Sequence, residues 1–127
     1  MNMKLTVMLT GIIMGSMSLS APVFAGNSDA IMKMAEIMQR LKHFPSPDGK
    51  KTLQDIISSS TASNNERVLA TAMLNLNHQA DGADKPKLEA IINGKAADSE
   101  KTLAQIIINL DHRPSGADKE QLAKLLK

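Results

Sequence analysis

Apolar residues through most of the chain recur three and four positions apart, with no strand-like alternation of apolar and polar positions. Leu103, Ile106, Ile107 and Leu110 mark one helical face; Leu69, Met73 and Leu76, with Ala72 between, mark another; Met34, Ile37, Met38 and Leu41 mark a third. After a polar loop, each face is followed by a shorter apolar segment: Leu53-Ile56-Ile57, Leu88-Ile91-Ile92 and Leu122-Leu125-Leu126. This is one pattern, L-x-x-φ-φ with φ aliphatic, used three times. It predicts six short helices in three helix-loop-helix pairs and no strand.

The pairs are copies of one unit. Residues 66–92 set against 100–126 match at 11 of 27 positions with no gap, an offset of 34 (100 − 66); the matches include Asn75/Asn109, His78/His112, Asp84/Asp118 and Leu88/Leu122. A weaker first copy, residues 31–57, aligns at offset 35 (66 − 31) through Ala35, Met38, Leu41, His43, Lys50, Leu53, Ile56 and Ile57. A fixed period of this length marks a supersecondary repeat. The period equals that of the tetratricopeptide unit in length, but the aromatic and small-residue signature of that family is missing and the loop within each unit is longer. The expected fold class is therefore all-α: three helix-loop-helix repeats of about 34 residues, in units of about 29–60, 63–94 and 98–127, forming a short solenoid or a compact six-helix bundle.

Local signals place the helix ends. Ser63-Asn64-Asn65-Glu66 reads as a capping box, and Asp118-Lys119-Glu120-Gln121 as a similar box before the last helix. Pro86 fits only a first helical turn, because an interior proline loses a hydrogen bond and clashes with the preceding turn, so Asp84 is the expected N-cap there. Gly94 is an expected helix stop.

The first residues follow a different pattern. Lys4 precedes an apolar stretch from Leu5 to Met17, Ser18, Ser20 and Pro22 then loosen the chain, and Val23-Phe24-Ala25 offers small residues where a signal peptidase reads. Residues 1–25 are expected to be a secretory signal peptide cleaved after Ala25, since the apolar stretch is shorter than the roughly 20 residues that span a bilayer. Residues 26–127 would then form a single domain in the periplasm or outside the cell, with no stable membrane anchor after cleavage. Five of the nine methionines lie in the signal segment, and Met34, Met38 and Met73 lie on apolar faces, so core packing explains them better than copper ligation.

Composition removes several chemistries. With 15 Lys plus Arg against 13 Asp plus Glu, the chain lacks the strongly basic balance of a nucleic-acid binder. No cysteine means no disulfide, thiolate metal site or thiol nucleophile. No serine stands in a nucleophile-elbow context and no glycine-rich loop cradles phosphate, so no enzymatic activity and no cofactor are expected. The Asp81-Gly82-Ala83-Asp84 loop lacks the alternating oxygen ligands of a calcium loop.

The three histidines, His43, His78 and His112, are the chain's full complement, and each follows a leucine by two residues at the end of a long helix. The chemistry they suggest is metal or proton binding; the structural alternative is capping of helix-end carbonyls, favoured by the helix dipole. In a stack of units, packed helices lie about 8–10 Å apart while ligands sit about 2 Å from a metal. Equivalent residues are therefore expected to form a row, and a separate site in each unit would need Asp81, Asp84, Asp111 or Asp118. The leading functional expectation is non-catalytic binding of a protein or peptide partner on the repeat surface. The alternative is a periplasmic metal- or pH-responsive binding protein using His43, His78 and His112.

Overall fold

The computed structural model describes residues 28–127, so the expected signal peptide and its expected cleavage site at Ala25 lie outside the described residues. The described chain is all-helical: α1 (Asp29–Gln39), α2 (Pro47–Ser58), α3 (Asn64–Leu74), α4 (Lys85–Asn93), α5 (Asp98–Asn109) and α6 (Gly116–Leu125). No strand is present among the described residues, only an isolated backbone bridge across each histidine.

Four of the six helices start on a serine whose hydroxyl accepts an orphan backbone N–H: Ser28 from Ile31, Ser46 from Gly49, Ser63 from Glu66 and Ser115 from Asp118. The capping box at Ser63 is present in full, with Glu66 Oε1 accepting from the Ser63 N–H at 2.8 Å. Two expected caps differ. Asp118 does not open α6; Ser115 does, and Asp118 is the third residue of the helix. Asp84 is the N-cap residue of α4 and Pro86 lies in the first turn, both as expected, but the Asp84 carboxylate accepts from Asn75 Nδ2 at 3.0 Å and makes no capping bond. Asp84 is buried, and a buried carboxylate needs a hydrogen-bond partner, here supplied by Asn75 at the end of the preceding helix. Gly94 ends α4 as expected.

Packing between units is closed. α2 packs chiefly on α3, α4 on α5, and α6 returns to α1, while the three long helices α1, α3 and α5 also meet one another. The last unit therefore rests on the first, and the chain is a closed six-helix bundle rather than an open solenoid. The core repeats with the units: Met34, Leu69 and Leu103 are fully buried, as are Leu53, Leu88 and Leu122. Ala35, Ala70 and Ala104 are also fully buried. The methionines expected in the core, Met34, Met38 and Met73, are there.

A second device ties units together. Glu66, itself buried, also accepts a short hydrogen bond from the Ser28 hydroxyl at the start of α1. Its counterpart Glu100 accepts from Asn65 Nδ2 at 3.1 Å at the start of α3. Glu100 also accepts from the Ser63 hydroxyl at 3.4 Å, so the third residue of each of these long helices links to the cap of the long helix before it. Ile31 stands at the corresponding place in the first unit and is buried, so closure there relies on apolar packing.

Candidate metal centre

Each long helix runs into a leucine that is almost fully buried (Leu41, Leu76 or Leu110), and the next residue but one is a histidine. The buried leucine anchors the chain, and the backbone then turns sharply. His43, His78 and His112 have φ of 72°, 71° and 70°, and among the described residues they alone have positive φ. This left-handed region is costly for any residue with a Cβ, though histidine tolerates it better than most. In two of the loops a tight bond closes the turn: Phe44 N–H donates to Lys42 O and Arg113 N–H to Asp111 O, each at 2.8 Å. Around His78 the bond runs the other way, from Asn77 N–H to Gln79 O at 3.3 Å. A three-residue turn with positive φ at its centre is rare and strained.

What holds the strained residues is a ring of backbone hydrogen bonds. His78 N–H donates to His43 O at 2.7 Å, His112 N–H to His78 O at 2.7 Å, and His43 N–H to His112 O at 2.6 Å. Each histidine gives one bond and receives one, and the ring closes across the join between the last unit and the first.

With the backbones locked together, the side chains converge. Ring centroids lie 4.8 Å apart for His43 and His78, 4.8 Å for His78 and His112, and 5.2 Å for His43 and His112. His43 Nδ1 and His78 Nδ1 are 3.0 Å apart, so one ring carries the proton and the other accepts it. His112 Nδ1 lies 2.7 Å from Asp111 Oδ1. One ring nitrogen from each histidine can be chosen so that all three fall within 4.8 Å of one another, and all three residues are exposed.

No protein-family model matches the chain, and no curated protein or solved structure matches it.

The expected row of histidines is corrected by this geometry. A row requires units stacked along a line, with equivalent residues a helix spacing apart. Because α6 returns to α1, the units surround an axis instead, and the three loops meet on it. Helix capping does not describe the rings either: their hydrogen-bond partners are one another and Asp111, not helix-end carbonyls. Of the carboxylates considered as helpers, only Asp111 reaches a histidine. Asp84 serves Asn75, Asp81 Oδ2 accepts from the Ala83 N–H at 3.2 Å, and Asp118 lies inside α6. Phe44, which sequence reasoning did not single out, follows His43 and is 53% exposed, with Lys50 Nζ 5.6 Å from its ring centre. Its exposure had no sequence signal beyond its place next to the histidine loop.

In chemical terms the cluster offers three imidazole nitrogen donors within reach of one point, on residues exposed to solvent. Zinc holds imidazole nitrogen at about 2.0–2.1 Å, which in a tetrahedral site puts ligand atoms about 3.4 Å apart. The observed separations, from 3.0 Å to at most 4.8 Å, bracket that value. Side-chain rotation in exposed rings covers the difference.

Proposed function

We propose that this protein binds a divalent first-row transition metal, such as zinc, copper(II) or nickel, through His43, His78 and His112. The observation that carries the reading is the convergence of three exposed imidazoles on left-handed backbone positions. Glycine would fill those positions with less strain, yet each carries a ring that contributes nothing to the buried core. An imidazole-only donor set suits zinc, copper(II) and nickel and discriminates against calcium and magnesium, which take oxygen ligands. Because all three histidines are exposed, water or another exchangeable ligand can complete the site, as in sites that exchange or present their metal rather than bury it.

We place this binding, taken as non-catalytic, in the periplasm or outside the cell because residues 1–25 read as a secretory signal peptide. α1 starts at Asp29, so cleavage after Ala25 leaves every described helix intact. In support of this reading, the exported protein should have an intact mass beginning at Gly26.

Isothermal titration of residues 26–127 tests the reading. Zinc, copper(II) or nickel should bind at one ion per chain, magnesium should not, and His78→Ala should abolish the binding. Absence of stoichiometric binding by all three metals refutes the proposal.

A further inference from the structure

The three histidine loops are alike in backbone but not in the residues that flank the rings. Lys42, Asn77 and Asp111 occupy the same position, directly before His43, His78 and His112. Among the three, Asp111 alone has a side chain bonded to the following ring, with Asp111 Oδ1 at 2.7 Å from His112 Nδ1. A carboxylate accepts and cannot donate, so His112 carries its proton on Nδ1 and holds its lone pair on Nε2. The other two rings face each other through Nδ1 at 3.0 Å. That spacing is slightly shorter than the separation of two ligand atoms on one tetrahedral metal.

We infer that the site has a mixed donor set: Nδ1 of His43, Nδ1 of His78 and Nε2 of His112, with Asp111 as the positioning residue that fixes the third. This rests on the metal-binding reading above and states how that site is built. On binding, the metal takes the place of the proton held between His43 and His78. The ring carrying that proton releases it from Nδ1 and takes up another on Nε2 through solvent, so both rings stay neutral and each presents a lone pair from Nδ1. His112 needs no such change, because Asp111 has already set its tautomer. Asp111 is exposed and takes no part in the core, so its role is separable from folding.

The test is nitrogen-detected NMR of histidine-labelled protein, with and without one equivalent of zinc, on wild type, Asp111→Ala, Asp111→Asn and Asn77→Ala. In wild type without zinc, His112 should show a protonated Nδ1 and an unprotonated Nε2. Zinc should then move Nδ1 of His43, Nδ1 of His78 and Nε2 of His112 to metal-bound shifts. Asp111→Ala should release His112 into a tautomer mixture and weaken zinc binding by roughly 10–100-fold, the usual loss on removing such a partner. Asp111→Asn, which keeps an acceptor oxygen, should fall between, and Asn77→Ala should match wild type. Wild-type zinc binding through Nε2 of all three rings, or Asp111→Ala with unchanged affinity and an unchanged His112 tautomer, overturns this inference and leaves the metal-binding reading in place. Absence of any zinc-induced shift in wild type overturns both.

Discussion

Replacing His78 with glycine separates the scaffold from the site more cleanly than any other single change. His78 sits at φ 71° and joins the backbone ring through its N–H and carbonyl, both of which glycine retains. Three terms change in the metal-free protein. Removing the Cβ relieves a left-handed conformation that costs an L-residue about 1–2 kcal/mol. The added freedom of glycine in the unfolded chain costs about 0.5–1 kcal/mol. Loss of the exposed Nδ1 bond to His43 costs about 0.5–1 kcal/mol at most. The sum is close to zero, so the metal-free melting temperature of His78→Gly should stay near wild type. His78→Ala keeps the strain and loses the same ring, so it should be less stable than His78→Gly by about 1 kcal/mol, or roughly 4–8 °C in a domain of this size. Zinc then divides the proteins in the other direction. At about 100 times its dissociation constant it should stabilise wild type by about 2.7 kcal/mol, or roughly 10–20 °C, and leave both variants unmoved. Circular-dichroism melts with and without zinc read all of these terms. The reasoning is refuted if His78→Gly melts no higher than His78→Ala, or if either variant retains the zinc-dependent rise.

Two further predictions concern the scaffold. Leu122 is fully buried in α6, which closes the bundle onto α1, so Leu122→Ala should destabilise by about 2–5 kcal/mol and a urea titration should show an earlier midpoint. A mutant that unfolds at the wild-type midpoint would contradict the assigned register. Glu66→Ala removes the acceptor for both the Ser63 N–H and the Ser28 hydroxyl; its expected cost is about 1–2 kcal/mol, and hydrogen exchange at the starts of α1 and α3 should quicken together. Faster exchange at α3 alone would show that the link between the units carries no energy.

The helices and their inner faces were legible in the sequence because the aliphatic pattern leaves little choice. Leu53, Leu88 and Leu122 have no other face to turn inward, and each is fully buried. The capping box at Ser63 was legible because its two bonds are local. Where a longer-range partner intervened, local reading failed: Asn75 draws the Asp84 carboxylate away from the start of α4. At α6 the miss was of another kind, since Ser115, three residues before Asp118, supplied a better cap. The site itself was half legible. One histidine at the same place in each unit announced a shared role, but a period fixes the contents of a unit and says nothing about the rotation from one unit to the next. That rotation depends on how α1, α3 and α5 pack on one another and on the return of α6 to α1. It decides between a row and a ring, and so between three separate histidines and one site.

Closure also explains how a repeated sequence can carry an unsymmetrical site. The ring that positions the histidines uses only backbone N–H and carbonyl groups, so it imposes no requirement on the neighbouring side chains. The positions before the histidines are accordingly Lys42, Asn77 and Asp111, and those after them Phe44, Gln79 and Arg113. Had side chains held the three loops together, changing one flank would have loosened all three ligands. With the backbone holding them, the third loop can carry a carboxylate that sets its ring while the first two rings face each other through Nδ1. The two demands on the loops are thus met by different atoms, which is why His78→Gly and Asp111→Ala should each alter zinc binding while the metal-free fold stays close to wild type.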